Sequence, residues 1–338
     1  NGTRGFIDAY DANTGRLAWR FWTVPEPGEP GGDTWTGDSW KQGGASPWLT
    51  GTYDPELNLI YWGTGNPAPM FYGDEREGDN LYSNSIVALD ADTGELEWYY
   101  QFTPHDTRDW DSAQIPVLAD LPFDGSERKL LLTANRNGFF YVLDRTNGEL
   151  LLAKPFVNTT WAREIGDDGR PVELPDSRPT EQGTSICPDV EGATNWMSPS
   201  FNPDTGLFYV TAREGCATYF SWKESFAPGQ PYFGGGTTRR RTAASGMLRA
   251  IDPATARVEW EFPYASPSMA GTLSTAGGLV FGGGDGNLIV FDARTGEDLW
   301  HFQTGGPITA APITYLLDGK QYIAIASHGA LIAFSLPD

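Results

Sequence analysis

A short unit recurs along this chain: an apolar segment that ends in Asp, a turn that contains Thr-Gly, and then a Trp. The clear copies are FIDAYDANTGRLAW (6–19), SIVALDADTGELEW (85–98) and LIVFDARTGEDLW (288–300). Asp followed by Thr-Gly favours a tight turn with a left-handed Gly, which joins two antiparallel strands. Each copy therefore predicts a β-hairpin whose Trp, four residues after the Gly, can pack on a neighbouring unit.

Weaker copies extend the pattern. The segment FFYVLDRTNGELL (139–151) lacks the Trp, MLRAIDPATARVEW (247–260) lacks the Gly, and ALIAFSLPD (330–338) looks like a sixth strand. The turn aspartates at positions 11, 90, 144, 252 and 292 are 79, 54, 108 and 40 residues apart. These gaps fit one or two units of about 40–55 residues, the period of propeller blades. An all-β propeller is predicted, with a β-sandwich whose turns agree by chance as the alternative.

Charge and cysteine content limit the partners and the compartment. The chain carries 23 Lys and Arg against 44 Asp and Glu, a formal charge of −21. This argues against nucleic acid and anionic membrane surfaces, whose phosphates would go unneutralised. No apolar run approaches the roughly 18 residues of a membrane span. The two cysteines, Cys187 and Cys216, either form one disulfide in an oxidising compartment or are unrelated buried thiols.

Acidic residues are concentrated in TPHDTRDWDSAQIPV (103–117), just before an apolar strand-like run. His105, Asp106, Asp109 and Asp111 lie within seven positions. Like charges this close repel, so the cluster needs either solvent or a cation. Judged by these residues alone, a cation site and a solvated acidic loop both remain open.

Taken together, these motifs resemble a known family. The recurring units, FTPHDTRDWD (102–111) and three further segments resemble the pyrroloquinoline-quinone (PQQ)-dependent alcohol dehydrogenases, which include the methanol dehydrogenase large subunits. The three segments are GDSWKQGGASPWLTGTYDPELNLIYWGTGNPAP (37–69), KLLLTANRNGFFYVLDRTNG (129–148) and CPDVEGATNW (187–196). The resemblance runs over essentially the whole chain. It implies one domain over residues 1–338, a β-propeller of four-stranded blades with eight blades in the family and about six here.

The resemblance also implies a metal site and a catalytic base. Asp109 matches the acid that accepts the proton of the substrate hydroxyl as hydride leaves carbon. Asn66, Asp109 and Asp111 match metal ligands. A second acid two residues after the catalytic one is similar to the lanthanide-using branch of the family, and calcium, which also prefers oxygen ligands, is the alternative.

Four further residues match cofactor contacts. Trp48 corresponds to the ring beneath the planar quinone, where stacking explains the residue type. Arg136 corresponds to a cation near the reactive quinone oxygens, where it can stabilise developing negative charge. Ser46 and Asn195 correspond to polar contacts of the cofactor. Without the match, Trp48 would be interpreted as a packing residue.

The same resemblance implies a Cys187–Cys216 disulfide that braces a loop over the active face.

Two departures from the family concern the pocket. Arg108 stands where many members have an aromatic residue, and Met269 replaces a Trp, so we expect altered walls around the substrate or cofactor. A third departure concerns length, because the family's Glu metal ligand would lie immediately before Asn1. We therefore expect the chain to be the C-terminal part of a longer enzyme.

The function implied is PQQ- and metal-dependent oxidation of a primary alcohol to an aldehyde in the periplasm, with electrons passed to a cytochrome c. A homodimer is compatible with this function, and no CxxCH haem motif occurs. The alternatives are a non-catalytic propeller that serves as a scaffold or assembly factor, and a carbohydrate-binding propeller. Neither needs the combination found here, which is Trp48, Asn66, Asp109, Arg136 and Asn195.

Overall fold

The computed structural model describes residues 2–239 and 244–336. Apart from two short 3-10 helices, Gly32–Thr34 and Ser39–Gln42, its regular elements are all β-strands. The prediction of an all-β fold is therefore confirmed. No helix in the described ranges is both long enough and apolar enough to cross a membrane.

In the described ranges, six antiparallel sheets follow one another along the chain, with two smaller inserted sheets, and strands adjacent in a sheet are in most cases consecutive in sequence. Sheet 1 contains β1 (Phe6–Tyr10) and β2 (Leu17–Trp22), and sheet 2 contains β3 (Thr52–Asp54), β4 (Leu59–Gly63), β5 (Ser85–Asp90) and β6 (Leu96–Gln101). Sheet 3 contains β7 (Val117–Phe123), β8 (Ser126–Ala134), β9 (Phe139–Asp144) and β10 (Leu150–Pro155).

The second half of the chain adds three sheets and two inserted ones. The inserted sheets pair β11 (Ala162–Ile165) with β12 (Pro171–Glu173), and join β13 (Thr184–Ile186), β16 (Ala217–Ser221) and β17 (Gly235–Arg239). Sheet 4 contains β14 (Ser200–Asn202), β15 (Leu207–Glu214), β18 (Ser245–Ile251) and β19 (Val258–Tyr264). Sheet 5 contains β20 (Leu273–Ser274), β21 (Leu279–Gly284), β22 (Asn287–Asp292) and β23 (Asp298–Gln303), and sheet 6 contains β24 (Ile313–Leu317), β25 (Lys320–Ser327) and β26 (Ala330–Phe334).

The core consists of apolar layers between consecutive sheets. Strand β5, for example, is buried along nearly its whole length because its side chains alternate between two layers. Val87 and Leu89 of β5 pack towards sheet 1, whereas Ile86 and Ala88 pack with residues of sheet 3. Similar layers join sheets 3 and 4, sheets 4 and 5, and sheets 5 and 6. Burial on both faces explains why these strands are continuously apolar rather than alternating.

The recurring unit forms the contact between sheets. In three copies the Trp indole N–H donates to the carbonyl that follows the turn Asp of the next sheet, at 3.1–3.2 Å. The same ring lies against the turn Gly of that sheet, so that a Cβ on the Gly would approach ring carbons to 2.5–2.6 Å. The contacts are Trp19 with Gly94, Trp98 with Gly148, and Trp260 with Gly296.

The two imperfect units meet each other. Leu152 takes the position of the Trp in sheet 3, since it pairs with Val142 as Trp98 pairs with Ala88. The turn of sheet 4 has Ala256 in place of Gly, at a positive φ of 57°. Leu152 and Ala256 belong to one apolar cluster between these sheets. Where the large ring is lost, the glycine that makes room for it is lost as well.

The predicted sixth strand is present as β26, whereas residues 337 and 338 at its end lie outside the described ranges. The Cys187–Cys216 disulfide is also formed. It links the segment after β13 to the segment before β16, and Asp189 N–H donates to Gly215 O across the same pair of segments at 2.8 Å.

Candidate functional site

A cavity of about 240 Å³ brings together six of the seven residues that the resemblance assigned to catalysis, cofactor or metal. They come from the loop after the 3-10 helix Ser39–Gln42, the loop after β4, the loop before β7 and the turn between β8 and β9. The lining residues are Thr3, Gly44, Ala45, Ser46, Trp48, Asn66, Ala68, Met70, Asp109, Asp111 and Arg136.

Backbone hydrogen bonds fix two of these loops side by side. The Ala45 N–H donates to Asn66 O at 2.9 Å, and the Gly65 N–H donates to Ser46 O at 3.1 Å. The loop that carries Ser46 and Trp48 therefore lies against the segment that carries Asn66. Asn66 Nδ2 donates to Pro67 O at 2.9 Å, which orients the side-chain amide.

Asp111 connects the metal-site candidates to the cationic residue. Its Oδ1 accepts the Asn66 N–H at 2.7 Å, and its Oδ2 accepts Arg136 Nη1 at 2.7 Å. Both oxygens therefore already bind protein donors. These charge-assisted bonds place Asn66 and Arg136 at opposite ends of one carboxylate.

A backbone carbonyl also holds the Arg136 guanidinium in place. Its Nε and Nη2 both donate to Val190 O, the first at 3.2 Å. Gly192 permits this approach, because a Cβ there would lie 2.0 Å from Arg136 Cγ. The guanidinium, 8% exposed, extends to 3.9 Å from Asp109 Oδ2. A fixed, largely dehydrated cation thus lies beside two carboxylates.

Asp109 has an unusual backbone and an unusual charge environment. Its φ of 62° lies in the left-handed region, which residues with a Cβ rarely adopt. Burial raises the pKa of the Asp109 carboxyl well above its ordinary range; Arg136 opposes this shift, and the negative charge of Asp111 adds to it. A carboxylate in this environment is a stronger base than one in water, and a nearby cation would favour its ionised form.

Trp48 supplies the aromatic surface of the cavity, with 43% of its surface exposed. An exposed indole next to a buried guanidinium is suited to a flat, negatively charged ring system, which can stack on one and pair with the other. PQQ is such a molecule, so the residues present fit it.

The oxygen donors of the cavity fit a hard cation. Asp109, Asp111, Asn66 and Ser46 offer carboxylate, amide and hydroxyl oxygens, the ligand types that calcium prefers. Within the described part of the chain, no three His, Cys, Asp or Glu side chains cluster closely enough to hold an ion by themselves. An ion here therefore needs oxygen ligands in addition to these carboxylates.

Asn195 does not line the cavity. Its Nδ2 donates to Glu191 O at 3.0 Å, while its Oδ1 is buried without a hydrogen-bond partner among the described residues. It lies two residues from Ala193, whose N–H donates to Arg136 O at 3.0 Å. Its cofactor contact stays a prediction, and the unpaired buried oxygen is compatible with one.

Neither of the two residues expected to alter the pocket walls lines this cavity, and their effect on the substrate or cofactor pocket stays a prediction. Arg108 does not line the cavity. Its buried guanidinium donates to Ser177 O and to Glu173 Oε2, at 3.1 Å each, and the Glu173 carboxylate balances its charge. Met269 lines a separate cavity of about 480 Å³, together with residues of the turn between β21 and β22 and of the segment between β23 and β24.

Arg76 is a buried residue beside the site that no sequence motif indicates. Arg76 has no exposed surface, although EREGDN (75–80) is a charged run typical of an exposed loop. Its guanidinium donates to Pro69 O and Asp106 O, which belong to the two segments that carry Asn66 and Asp109. No local pattern in the sequence indicates this burial.

Comparison with known proteins agrees with this architecture. The family described as PQQ glucose/ethanol/alcohol dehydrogenase, β-propeller domain, matches residues 1–155 and 236–323. The fold is thus that of a quinoprotein β-propeller domain. The chain belongs to the PQQ-dependent alcohol and methanol dehydrogenase family, which confirms the resemblance.

Three relatives illustrate the similarity. The chain is 44% identical to quinohemoprotein alcohol dehydrogenase ADH IIB of Pseudomonas putida, over 96% of this chain and 50% of the relative. It is 37% identical to the lanthanide-dependent methanol dehydrogenase of Methylacidiphilum fumariolicum (strain SolV), over 99% of this chain and 60% of the relative. The crystal structure of quinohemoprotein alcohol dehydrogenase from Comamonas testosteroni superposes with a TM-score of 0.91 at 39% identity, over 96% of this chain and 53% of that one. The chain therefore spans about half of the length of these relatives.

Proposed function

We propose that the protein catalyses PQQ- and metal-dependent oxidation of a primary alcohol to an aldehyde. The observation that carries this proposal is the meeting of Asp109, Arg136, Trp48 and Asn66 in one cavity, within a chain of this family. A scaffold or a carbohydrate-binding propeller has no physical need for a buried acid, a buried cation and an exposed indole at one place.

Asp109 is the proposed base. Burial raises its pKa, which makes its carboxylate a better acceptor for the proton of an alcohol hydroxyl. Arg136, 3.9 Å away, opposes the effect of burial on the Asp109 pKa and favours the ionised form, and a bound metal cation would favour that form further. Bound PQQ supplies the two-electron acceptor for the carbon-bound hydrogen.

Trp48 and Arg136 are the proposed cofactor contacts, one by stacking and one by charge, with Ser46 as a hydrogen-bonding neighbour. Arg136 is held by Asp111 and Val190, so it is already oriented before any ligand arrives. Such preorganisation lets a cation stabilise negative charge without reorganising during the reaction. Asn195 is proposed to reach the cofactor through its unpaired Oδ1.

Asn66, Asp109 and Asp111 are the proposed metal ligands. The second acid favours a trivalent lanthanide, since a higher positive charge is better balanced by an additional carboxylate, with calcium as the alternative. One relative of this chain is a lanthanide-dependent methanol dehydrogenase, which supports the first choice.

For the whole chain we propose one propeller domain with about six of the family's eight blades, here represented by sheets 1 to 6. The Cys187–Cys216 disulfide suits an oxidising compartment such as the periplasm. A cytochrome c is the proposed electron acceptor, to which the charge of −21 would present an acidic surface.

The test is a titration of PQQ, with La³⁺ or Ca²⁺, into metal-free protein expressed from its whole open reading frame, followed by dye-linked oxidation of primary alcohols. We expect metal-dependent quenching of tryptophan fluorescence and turnover that Asp109→Ala abolishes. Trp48→Ala should weaken the binding of PQQ, whereas Trp222→Ala, which removes an equally exposed Trp (46%), should leave it unchanged. A preference for La³⁺ should disappear in Asp111→Ala.

Absence of PQQ binding with either metal would contradict the enzymatic function and leave the scaffold as the explanation. Equal effects of Trp48→Ala and Trp222→Ala would contradict the assignment of this cavity as the cofactor site.

A further inference from the structure

The carboxylate of Asp106 binds the backbone on both sides of Asp109. Its Oδ1 accepts the Arg108 N–H at 3.0 Å, and its Oδ2 accepts the Trp110 N–H at 2.9 Å. Asp106 has no exposed surface and does not line the cavity. The residue between these two amides, Asp109, has the positive φ of 62°. Residues with a Cβ stay in that conformation only where surrounding contacts hold them there.

Arg76 holds this loop in turn. Its Nη2 donates to Asp106 O at 2.5 Å and to Pro69 O at 2.9 Å, and its Nη1 donates to Asn80 Oδ1 at 2.7 Å. Pro69 lies three residues after Asn66, so one buried guanidinium joins the two segments that present Asn66 and Asp109 to the cavity. Its planar fork satisfies several acceptors at fixed angles, which an ammonium group cannot do.

The other end of the loop is also fixed. Trp110 is fully buried, its ring meets that of Trp161 edge-on with centroids 5.3 Å apart, and its indole N–H donates to Asp189 O at 3.1 Å. Between this anchor and Asp106, the backbone of Asp109 has little freedom to change. The direction in which its carboxylate points is therefore decided by these neighbours.

We propose that Asp106 and Arg76 are positioning residues, which hold the 106–111 loop so that the Asp109 carboxylate faces the cavity in the orientation needed for proton transfer. This inference rests on the proposed role of Asp109 as the base. Small displacements of a reacting group are costly, and a shift of about 1 Å can lower the rate about 100-fold.

Asp54 provides a matched control. It is also buried, and it also accepts backbone N–H groups, from Glu56 at 2.9 Å and from Leu57 at 3.4 Å. It is the last residue of β3 and is not among the cavity residues. Its loss should therefore affect stability without affecting the chemistry.

The experiment compares Asp106→Asn with Asp54→Asn in the cofactor- and metal-loaded protein. An Asn keeps the size of the side chain but replaces one acceptor oxygen by an amide NH₂. We expect Asp106→Asn to lower kcat about 10- to 100-fold with little change in KM. In the metal-free protein, hydrogen exchange measured by mass spectrometry should accelerate in peptides covering 104–112. Asp54→Asn should accelerate exchange in peptides covering 52–60 and leave kcat unchanged.

Arg76→Lys is the second variant, in case Asp106→Asn fails to fold. It keeps the positive charge but loses the planar guanidinium that reaches several acceptors. We therefore expect kcat to fall, as in Asp106→Asn, with KM again nearly constant. An active wild-type protein whose kcat is unaffected by both substitutions would overturn the positioning role alone. A wild-type protein that oxidises no alcohol would overturn the proposed function and, with it, this inference.

Discussion

Two nearly identical turns allow a measurement of how closely a repeat Trp packs on the turn Gly of the next sheet, through the stability cost of a Gly→Ala substitution in each turn. Gly15 and Gly94 occupy the same position after Asp-x-x-Thr, with φ of 67° and 72°. In both turns the Gly N–H donates to the Asp carbonyl, at 2.8 and 2.9 Å. They differ only in their surroundings: a Cβ on Gly15 would meet nothing within 4 Å, whereas one on Gly94 would lie 2.5 Å from two ring carbons of Trp19.

We therefore expect Gly15→Ala to cost only the left-handed conformation, about 1 kcal/mol of unfolding free energy. Gly94→Ala carries the same cost plus the overlap with an indole whose N–H is bound to Ala91 O, which adds about 1–3 kcal/mol. The total should be about 2–4 kcal/mol. The excess is the steric cost of a methyl group placed against the Trp19 ring at the contact between sheets 1 and 2.

The assay is equilibrium unfolding in urea for both variants, with Trp19→Ala as the background for a double-mutant cycle. Without the indole, the cost of Gly94→Ala should fall to that of Gly15→Ala. Equal losses for the two glycine variants in the wild-type background would refute this account. So would a Gly94→Ala cost that persists when Trp19 is absent.

Two other predictions concern stability. Burial opposes ionisation of Asp54, but the Arg145 guanidinium at 2.7 Å and the backbone N–H groups outweigh it and lower the pKa of Asp54. Because the folded pKa is lower than the unfolded one, this contribution is present above about pH 4 and is lost as the pH falls through the folded value. Asp54→Asn should therefore cost about 3 kcal/mol at pH 7 and much less at acid pH, as urea unfolding at both pH values would show; a constant cost would contradict the ion pair. Replacing both Cys187 and Cys216 by Ser, which opens a closed loop with a sequence separation of 29, should cost about 3 kcal/mol, and a reductant should destabilise the wild-type protein but not this variant.

Much of the fold could be predicted because its information is local. The Asp-x-x-Thr-Gly turn contains its own hydrogen bonds, such as those from Thr93 N–H and hydroxyl to Asp90 Oδ1, so each hairpin is recognisable in isolation. The joint between imperfect units was not predicted. Leu152 and Ala256 are 104 positions apart, and only the structure shows that they belong to one cluster.

The residues of the site show the same distinction between features with a local sequence pattern and features that depend on distant partners. Asp109, Asp111 and Trp48 could be selected as candidates because their motifs match the family position by position, and all three line one cavity. The burial of Arg76 and Arg108 could not be predicted from the sequence, because a buried arginine is identified by distant carbonyl and carboxylate partners. Those partners, Pro69 O for one and Ser177 O for the other, leave no pattern near the arginine in the sequence.

The joint between sheets 3 and 4 has a consequence for how such chains can diverge. A Trp at position 152 requires the space that the Ala256 methyl group now takes, whereas Leu152 tolerates either alanine or glycine in the facing turn. A change to the Trp–Gly pair of the other contacts is therefore less costly when Ala256→Gly comes first, because the opposite order leads through an overpacked intermediate. We therefore expect the two substitutions to be epistatic, because the route that begins with Leu152→Trp carries an overpacking cost of about 1–3 kcal/mol. The joint between sheets 3 and 4 thus favours one order of these two substitutions, in addition to determining how the sheets pack.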